Sequence, residues 1–229
     1  MENLEKLYNA KKEALDTIKS KKANHENLSK LVSISFGNSK MGKVASVSTL
    51  PVVTCPNRCN GTCGTKCYAK KLCMLRPNVL KCYATNTAIA SISPTSYFKA
   101  INDTMKMVRF FRYHVSGDIM GYKYFRSMVR SALNNPHCEV LVFTKQYEII
   151  NKWIENGNTI PKNMHVLFSE WQNLESINPY NFPTTNVYSN ESEIKSNWIL
   201  CNGNCLDCAI KGTHCWKAQK GQTIAFKIH

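Results

Sequence analysis

"EVLVFTKQYEIINKWIENG", residues 139–157, sets a near-continuous apolar run against a segment whose apolar residues recur at helical spacing and which closes at Gly157. An apolar run bounded by turn signals reads as a buried strand, and the 3.6-residue recurrence after it as a helix packed on that strand. The same cycle appears one step earlier in "FRYHVSGD" (111–118) and "YKYFRSMVRSALNN" (122–135), and strand-type runs return in "MHVLFSEW" (164–171) and "TTNVYSN" (184–190). Strands alternating with helices imply an α/β fold with parallel pairing and both sheet faces covered. Their number suits a barrel or partial barrel at least as well as an open doubly wound sheet. In either case chemistry gathers at the C-terminal ends of the strands. That places Ser116, Asp118, Thr144, Lys145, Ser169, Glu170 and Ser189 on one rim.

Outward from this body, residues 2 to about 30 read as a solvated helix with Leu4, Leu7, Leu15 and Ile18 on a thin apolar stripe. "KLVSISFGNSKMGKVASVSTLP" offers β-rich pieces broken by Gly37 and Gly42, and residues 84 to 110 read as mostly helix, interrupted near Pro94. Between them lies "TCPNRCNGTCGTKCYAKK" (54–71), with Cys55, Cys59, Cys63 and Cys67 at every fourth position. On a helix these thiols would stand in a row, but Pro56, Asn57, Asn60, Gly61 and Gly64 are breakers. A loop wrapped around a metal centre fits better. A second block, "CNGNCLDCAIKGTHCW", holds Cys201, Cys205, Cys208 and Cys215 among polar and glycine residues, and it too suits a loop around a metal.

The absence of any long uncharged apolar stretch argues against a membrane span, and the charged start lacks the apolar centre of a secretory signal. A cytoplasmic protein is expected. In a reducing compartment eleven cysteines read as metal ligands before disulfides, and an odd number cannot pair off within one chain. Of the remaining thiols, Cys73, Cys82 and Cys138 read as packing, as do His114, Trp153 and Trp171. The 30 Lys+Arg against 15 Asp+Glu give a net charge of +15, a field that favours polyanions, nucleic acid first. Against base reading stands the scarcity of Arg: 6 residues beside 24 Lys, and Lys is a poor substitute for a bidentate fork.

Four thiolates hold either a tetrahedral zinc ion or an iron–sulfur cluster. Zinc ribbons pair C-x2-C knuckles; the first block here has only x3 spacings and the second a single x2. The spacings favour iron–sulfur and leave zinc as the alternative. "GNSKMGKVASVSTLPVVTCPNRCNGTCGTKCYAKK", "YHVSGD" and the terminal cysteine block resemble a phage- and plasmid-borne family of small proteins related to the radical S-adenosylmethionine (radical SAM) enzymes. The resemblance covers residues 36 to 229. With the helix read above as an N-terminal extension over 1–32, it implies a partial (β/α) barrel over 33–198 with a cluster-binding loop at 54–71, followed by the four-cysteine metal module with a final strand over 199–229. Cys63 and Cys67 are then the last two ligands of the loop, and Cys55 or Cys59 the first. "SGD" stands where such enzymes carry a Gly-Gly-Glu stretch that receives the cofactor's amino group, so Ser116, Gly117 and Asp118, with Tyr68 after the loop and Lys145, Ser169 and Glu170 on the rim, become cofactor-binding. The usual loop is C-x3-C-x2-C with an aromatic residue before the last cysteine. Here the last spacing is x3, Lys66 precedes Cys67 and the aromatic Tyr68 follows it.

Two functional readings follow. In the first, the chain is an enzyme with two [4Fe–4S] clusters that cleaves S-adenosylmethionine reductively to a 5′-deoxyadenosyl radical acting on an unidentified substrate, fed by a reductant such as flavodoxin or ferredoxin. In the second, two structural metal sites stabilise a basic module that binds nucleic acid. That reading needs aromatic and basic residues interleaved on one surface; "FFRYH" and "YKYFR" provide a little of this, though both are placed as strand and helix of the body.

Overall fold

The structure is a computed structural model that describes residues 2–38, 41–59 and 62–228; of the positions singled out above, Asn60 and Gly61 lie outside the described residues. In chain order the elements are α1 (Glu2–Ala23), β1 (Ile34–Ser35), β2 (Ala45–Val47), α2 (Tyr68–Leu75), α3 (Pro77–Ile92), α4 (Pro94–Met105), β3 (Phe110–Tyr113), α5 (Tyr122–Asn134), β4 (Glu139–Thr144), α6 (Tyr147–Glu155), β5 (Met164–Ser169), β6 (Thr184–Tyr188), β7 (Trp198–Leu200), α7 (Cys205–Lys211) and β8 (Thr223–Lys227). Among the described residues no helix is long and apolar enough to cross a membrane.

Eight strands form one sheet in the order β1-β2-β3-β4-β5-β6-β8-β7. β1 and β2 pair antiparallel, and every other neighbour pair is parallel. From β2 to β6 the strands lie side by side in chain order. A doubly wound sheet reverses its order at a switch point, and this run contains none. The final β-type run enters the sheet as β8, between β6 and β7.

Proline sets the helix starts after the cysteine loop. Pro77 and Pro94 occupy first-turn positions of α3 and α4, where the missing N–H has no intrahelical partner to lose. The expected break near Pro94 is therefore a clean junction between two helices.

The parity of each strand divides its side chains between two faces. Val47, Phe111, Tyr113, Val140, Val142, Val166 and Phe168 pack against Ile18 of α1, Tyr97 and Ile101 of α4, Phe125 and Met128 of α5 and Ile150 of α6. On the opposite face Phe110, Leu141, Leu167 and Ile224 meet Met41, Val44, Cys208, Ala209, Cys215 and Trp216. The C-terminal cysteine block thus serves as the cover of the second sheet face. Within α1 the apolar stripe divides: Leu7 and Ile18 are buried, while Leu4 is 41% exposed.

The reading of this block as a loop is corrected by α7. Asn204 caps that helix, its side-chain oxygen accepting the Asp207 N–H at 3.1 Å. Gly212 ends it in the left-handed conformation, the usual device for stopping a helix. Residues 214–216 add a 3-10 turn. Among the described residues of the N-terminal block, 57–59 form a 3-10 turn and the α-helix begins only after Cys67, whose sulfur accepts the Lys70 N–H at 3.4 Å and caps α2. The strand expected over 111–118 ends at Tyr113, because His114 (φ 56°) and Gly117 (φ 79°) turn the chain.

Candidate functional site

A cavity of about 410 Å3 opens on the second face, beside the C-terminal ends of β3 to β6. Cys55, Cys59, Cys63 and Cys67 line one part of it and Cys201, Cys205, Cys208 and Cys215 another. The two blocks lie at opposite ends of the body in sequence; the fold brings them to one space. Tyr68, Ser116, Gly117, Asp118, Thr144, Lys145, Ser169 and Glu170 line it as well. Ser189 does not; its N–H donates to the Glu193 carboxylate at 2.9 Å.

The loop is tied down at three places. Thr54 Oγ1 meets Thr49 Oγ1 at 3.1 Å and donates to the Leu50 carbonyl at 2.8 Å. Arg58 pairs with Glu148 and lies 4.8 Å over the Tyr147 ring, both on α6. Tyr68 donates its hydroxyl to the Val115 carbonyl. Inside the loop Cys59 lies close to Cys55 and Cys63. The contact with Cys55, then burial, pushes the Cys59 thiol up to about 12, and the Lys145 charge opposes the rise. Contact with Cys59, and burial after it, raises Cys63 too.

In the C-terminal block burial leads, and the charges of the neighbouring thiols add to it: Cys215 is raised by desolvation and then by Cys201, Cys205 and Cys208, with Arg112 pulling the other way. Cys208 is raised by burial, then by Cys201 and Cys205. The four thiols are therefore within one another's electrostatic reach. Among the described residues no three Cys, His, Asp or Glu side chains converge as a single metal ion requires.

The "SGD" turn is built by close packing. A Cβ on Gly117 would fall 2.1 Å from Thr49 Oγ1 and 2.5 Å from Thr54 Oγ1, so only glycine fits. Ser116 Oγ donates to the Thr49 carbonyl at 3.0 Å. Asp118 is buried and clamps two strand ends: Oδ1 accepts the Thr144 hydroxyl at 2.6 Å and the Ile119 N–H at 2.7 Å, and Oδ2 the Lys145 N–H at 2.8 Å. Burial raises its pKa while these donors hold it down. Lys145 donates from Nζ to Ser169 Oγ at 2.6 Å. Glu170 accepts the Ser176 hydroxyl at 2.7 Å and the Asn186 amide at 3.3 Å.

Two residues missed by sequence reasoning belong to the site. Arg112 projects from β3 into the cavity, its guanidinium 4.6 Å over the Phe143 ring and Nη1 3.9 Å from Cys205 Sγ. The signal was available: a charged residue at the parity of Phe110 in an apolar strand faces whatever covers that side. His214 also lines the cavity, with Nδ1 3.4 Å from Cys208 Sγ. His114, by contrast, is core. It packs beside Tyr124 with ring centroids 5.6 Å apart, and burial pulls its pKa down to about 3. Trp153 is core too, Trp171 lies on the cavity rim, and Cys73 and Cys138 are buried in packing.

The basic–aromatic stretches lie mostly in the body of the fold. Phe110, Phe111 and Tyr113 of "FFRYH", and Tyr124 and Phe125 of "YKYFR", are buried. Lys123 and Arg126 of α5 remain exposed, and Tyr122 is partly buried.

A family model described as gene product 88 matches residues 3–221. No curated protein and no solved structure matches the chain.

Proposed function

The chain belongs to the gene product 88 family, and we propose that it is an iron–sulfur protein, a partial (β/α) barrel of radical SAM type with a second cluster site in its C-terminal four-cysteine module. One observation carries this reading: eight cysteines in two blocks line the same cavity, together with the cations Arg112 and Lys145. Neither cation forms an ion pair with a carboxylate among the described residues. Lys145 has the Asp118 carboxylate within its electrostatic reach, while Arg112, half-buried over Phe143, reaches the Cys205 sulfur, and a confined cation gains from negative charge beside it. Neutral thiols do not supply that charge; metal-bound thiolates do.

The residues fit a cluster better than a single ion. Zinc draws its thiolates to about 2.3 Å from one point, whereas these eight sulfurs are distributed around a space. On this reading Cys63 and Cys67, with Cys55 or Cys59, hold the first cluster, and Cys201, Cys205, Cys208 and Cys215 the second. Bound there, a reduced cluster with S-adenosylmethionine supplies one-electron reductive cleavage.

The chain's own residues bind and orient. Asp118 Oδ1 already accepts two hydrogen bonds, while Oδ2 accepts one and so keeps a lone pair for a ligand ammonium group. Lys145, held by Ser169, presents positive charge to the loop thiols and to a ligand carboxylate. Tyr68 closes the wall between the cysteine loop and the turn after β3, and its bond to Val115 holds it there. The sheet and α7 form two of the cavity's walls.

The test is anaerobic reconstitution. A brown protein containing iron and sulfide is expected, with Cys63→Ala and Cys208→Ala each losing about half of the iron. S-adenosylmethionine should bind the reconstituted parent in calorimetry and bind Asp118→Asn at least tenfold more weakly, about 1.4 kcal/mol. A colourless protein that takes up zinc instead, or full iron in both cysteine variants, overturns the cluster assignment. Reconstituted protein that ignores S-adenosylmethionine overturns the radical chemistry and leaves the clusters.

A further inference from the structure

The four sulfurs of the C-terminal block differ in what surrounds them. Cys201 Sγ accepts the Gly203 N–H at 3.4 Å. Cys205 Sγ accepts from the Arg112 guanidinium at 3.9 Å. Cys208 Sγ lies 3.4 Å from His214 Nδ1. Arg112 comes from β3 and His214 from the 3-10 turn after α7, so two separate elements aim side-chain nitrogen at neighbouring thiols.

Neither side chain is fully used elsewhere. Arg112 stacks on Phe143, and its Nε is buried with no partner. His214 meets the Thr213 hydroxyl at 3.0 Å through the same Nδ1. A metal-bound thiolate has no proton to give, so next to one His214 takes the Nδ1–H tautomer and donates. Arginine has no tautomer to choose; it donates at every pH the fold tolerates.

Hydrogen bonds and positive charge at cluster sulfurs stabilise the more negative, reduced state, and so raise the reduction potential. We propose that Arg112 and His214 are positioning residues that set the reduction potential of the C-terminal cysteine site upward, through N–H···S bonds to Cys205 and Cys208. This rests on the iron–sulfur reading above and adds to it a division of labour. The loop holds Cys59 and Cys63 in the field of Lys145, whose nitrogen is engaged by Ser169. The C-terminal block has donors of its own.

The experiment is a redox titration of the whole reconstituted chain, followed by electron paramagnetic resonance with dithionite as reductant. Cys208→Ala identifies the C-terminal site by removing its signal. Arg112→Gln is expected to shift that site's equilibrium at least tenfold toward the oxidised form, about 59 mV for one electron, with the other site unmoved. His214→Ala should shift it in the same direction. His214→Asn, whose amide can stand in for Nδ1–H, should recover part of the shift, as should Arg112→Lys. Parent-like potentials in Arg112→Gln and His214→Ala at full iron content overturn the proposal while the cluster assignment stands. Equal shifts at both sites overturn it too, since they report a general change of field. Should Arg112→Gln lose iron, His214→Ala and His214→Asn decide on their own. A parent without iron overturns this proposal and the reading beneath it together.

Discussion

The two cysteine blocks carry the same number of thiols and are held by opposite means. The N-terminal loop is fastened from outside, by Arg58 on α6, Tyr68 on the turn after β3 and Thr54 on the end of β2. The C-terminal block is fastened from within: Cys208, Cys215 and Trp216 are buried in an apolar cluster with Phe110, Leu141 and Leu167. One is an attachment to the sheet, and the other is half of a core. Loss of the first should therefore disturb chemistry before stability, and loss of the second should disturb both.

The sharpest way to break this contrast is Trp216→Ala. Trp216 is 3% exposed, stands 5.5 Å from Phe110 in edge contact and donates its indole N–H to the Cys205 carbonyl at 3.2 Å. Truncation of a buried Trp costs about 3–5 kcal/mol, so urea denaturation should move the whole transition to lower denaturant. A loss below about 1 kcal/mol would mean that the block is an appendage like the loop.

A smaller effect is expected where the block meets the β1–β2 connection. Gly42 has φ 63°, and a Cβ there would stand 2.6 Å from Leu206 Cβ on α7. Gly42→Ala adds backbone strain and a steric clash, together about 1–3 kcal/mol, read by the same denaturation. An unchanged midpoint would show that α7 moves aside freely.

The smallest effect belongs to the loop. Arg58→Ala removes an ion pair whose partner Glu148 is 53% exposed, and exposed pairs contribute under about 1 kcal/mol. The melting temperature should hardly move, while limited proteolysis should cut residues 54–67 faster than in the parent. Equal cutting rates would show that Tyr68 and Thr54 suffice to hold the loop.

The alternation of strands and helices was legible because burial writes itself into apolar periodicity: Val140, Val142, Met128 and Ile150 stand where their period requires. The short elements were harder. β7 has three residues and α7 seven, too few for a period. The cap at Asn204 and the stop at Gly212 were the readable signs of α7, masked by the expectation that cysteine-rich segments loop. The rim residues Asp118, Lys145, Ser169 and Glu170 could be placed because strand ends share one side of a parallel sheet. The meeting of the two cysteine blocks could not. It depends on which sheet face the C-terminal segment covers, and both faces of a buried sheet are apolar. Arg112 carried a sign, a charge at the parity of Phe110, but the sequence did not say what covers that side.

The position of β8 between β6 and β7 bears on how the chain is made. A ribosome delivers β6 well before β8, at about 5–20 residues per second, and β6 meanwhile has one long unpaired edge. Parallel partners far apart in sequence pair slowly, and an open edge invites another chain. The approach of Leu206 to Gly42 closes a still longer span, so the second face stays bare until α7 has emerged. Residues 201–227 thus decide when both faces of the sheet are covered, and a nascent chain stalled before Thr223 displays a half-clothed sheet of the kind that holdase chaperones bind.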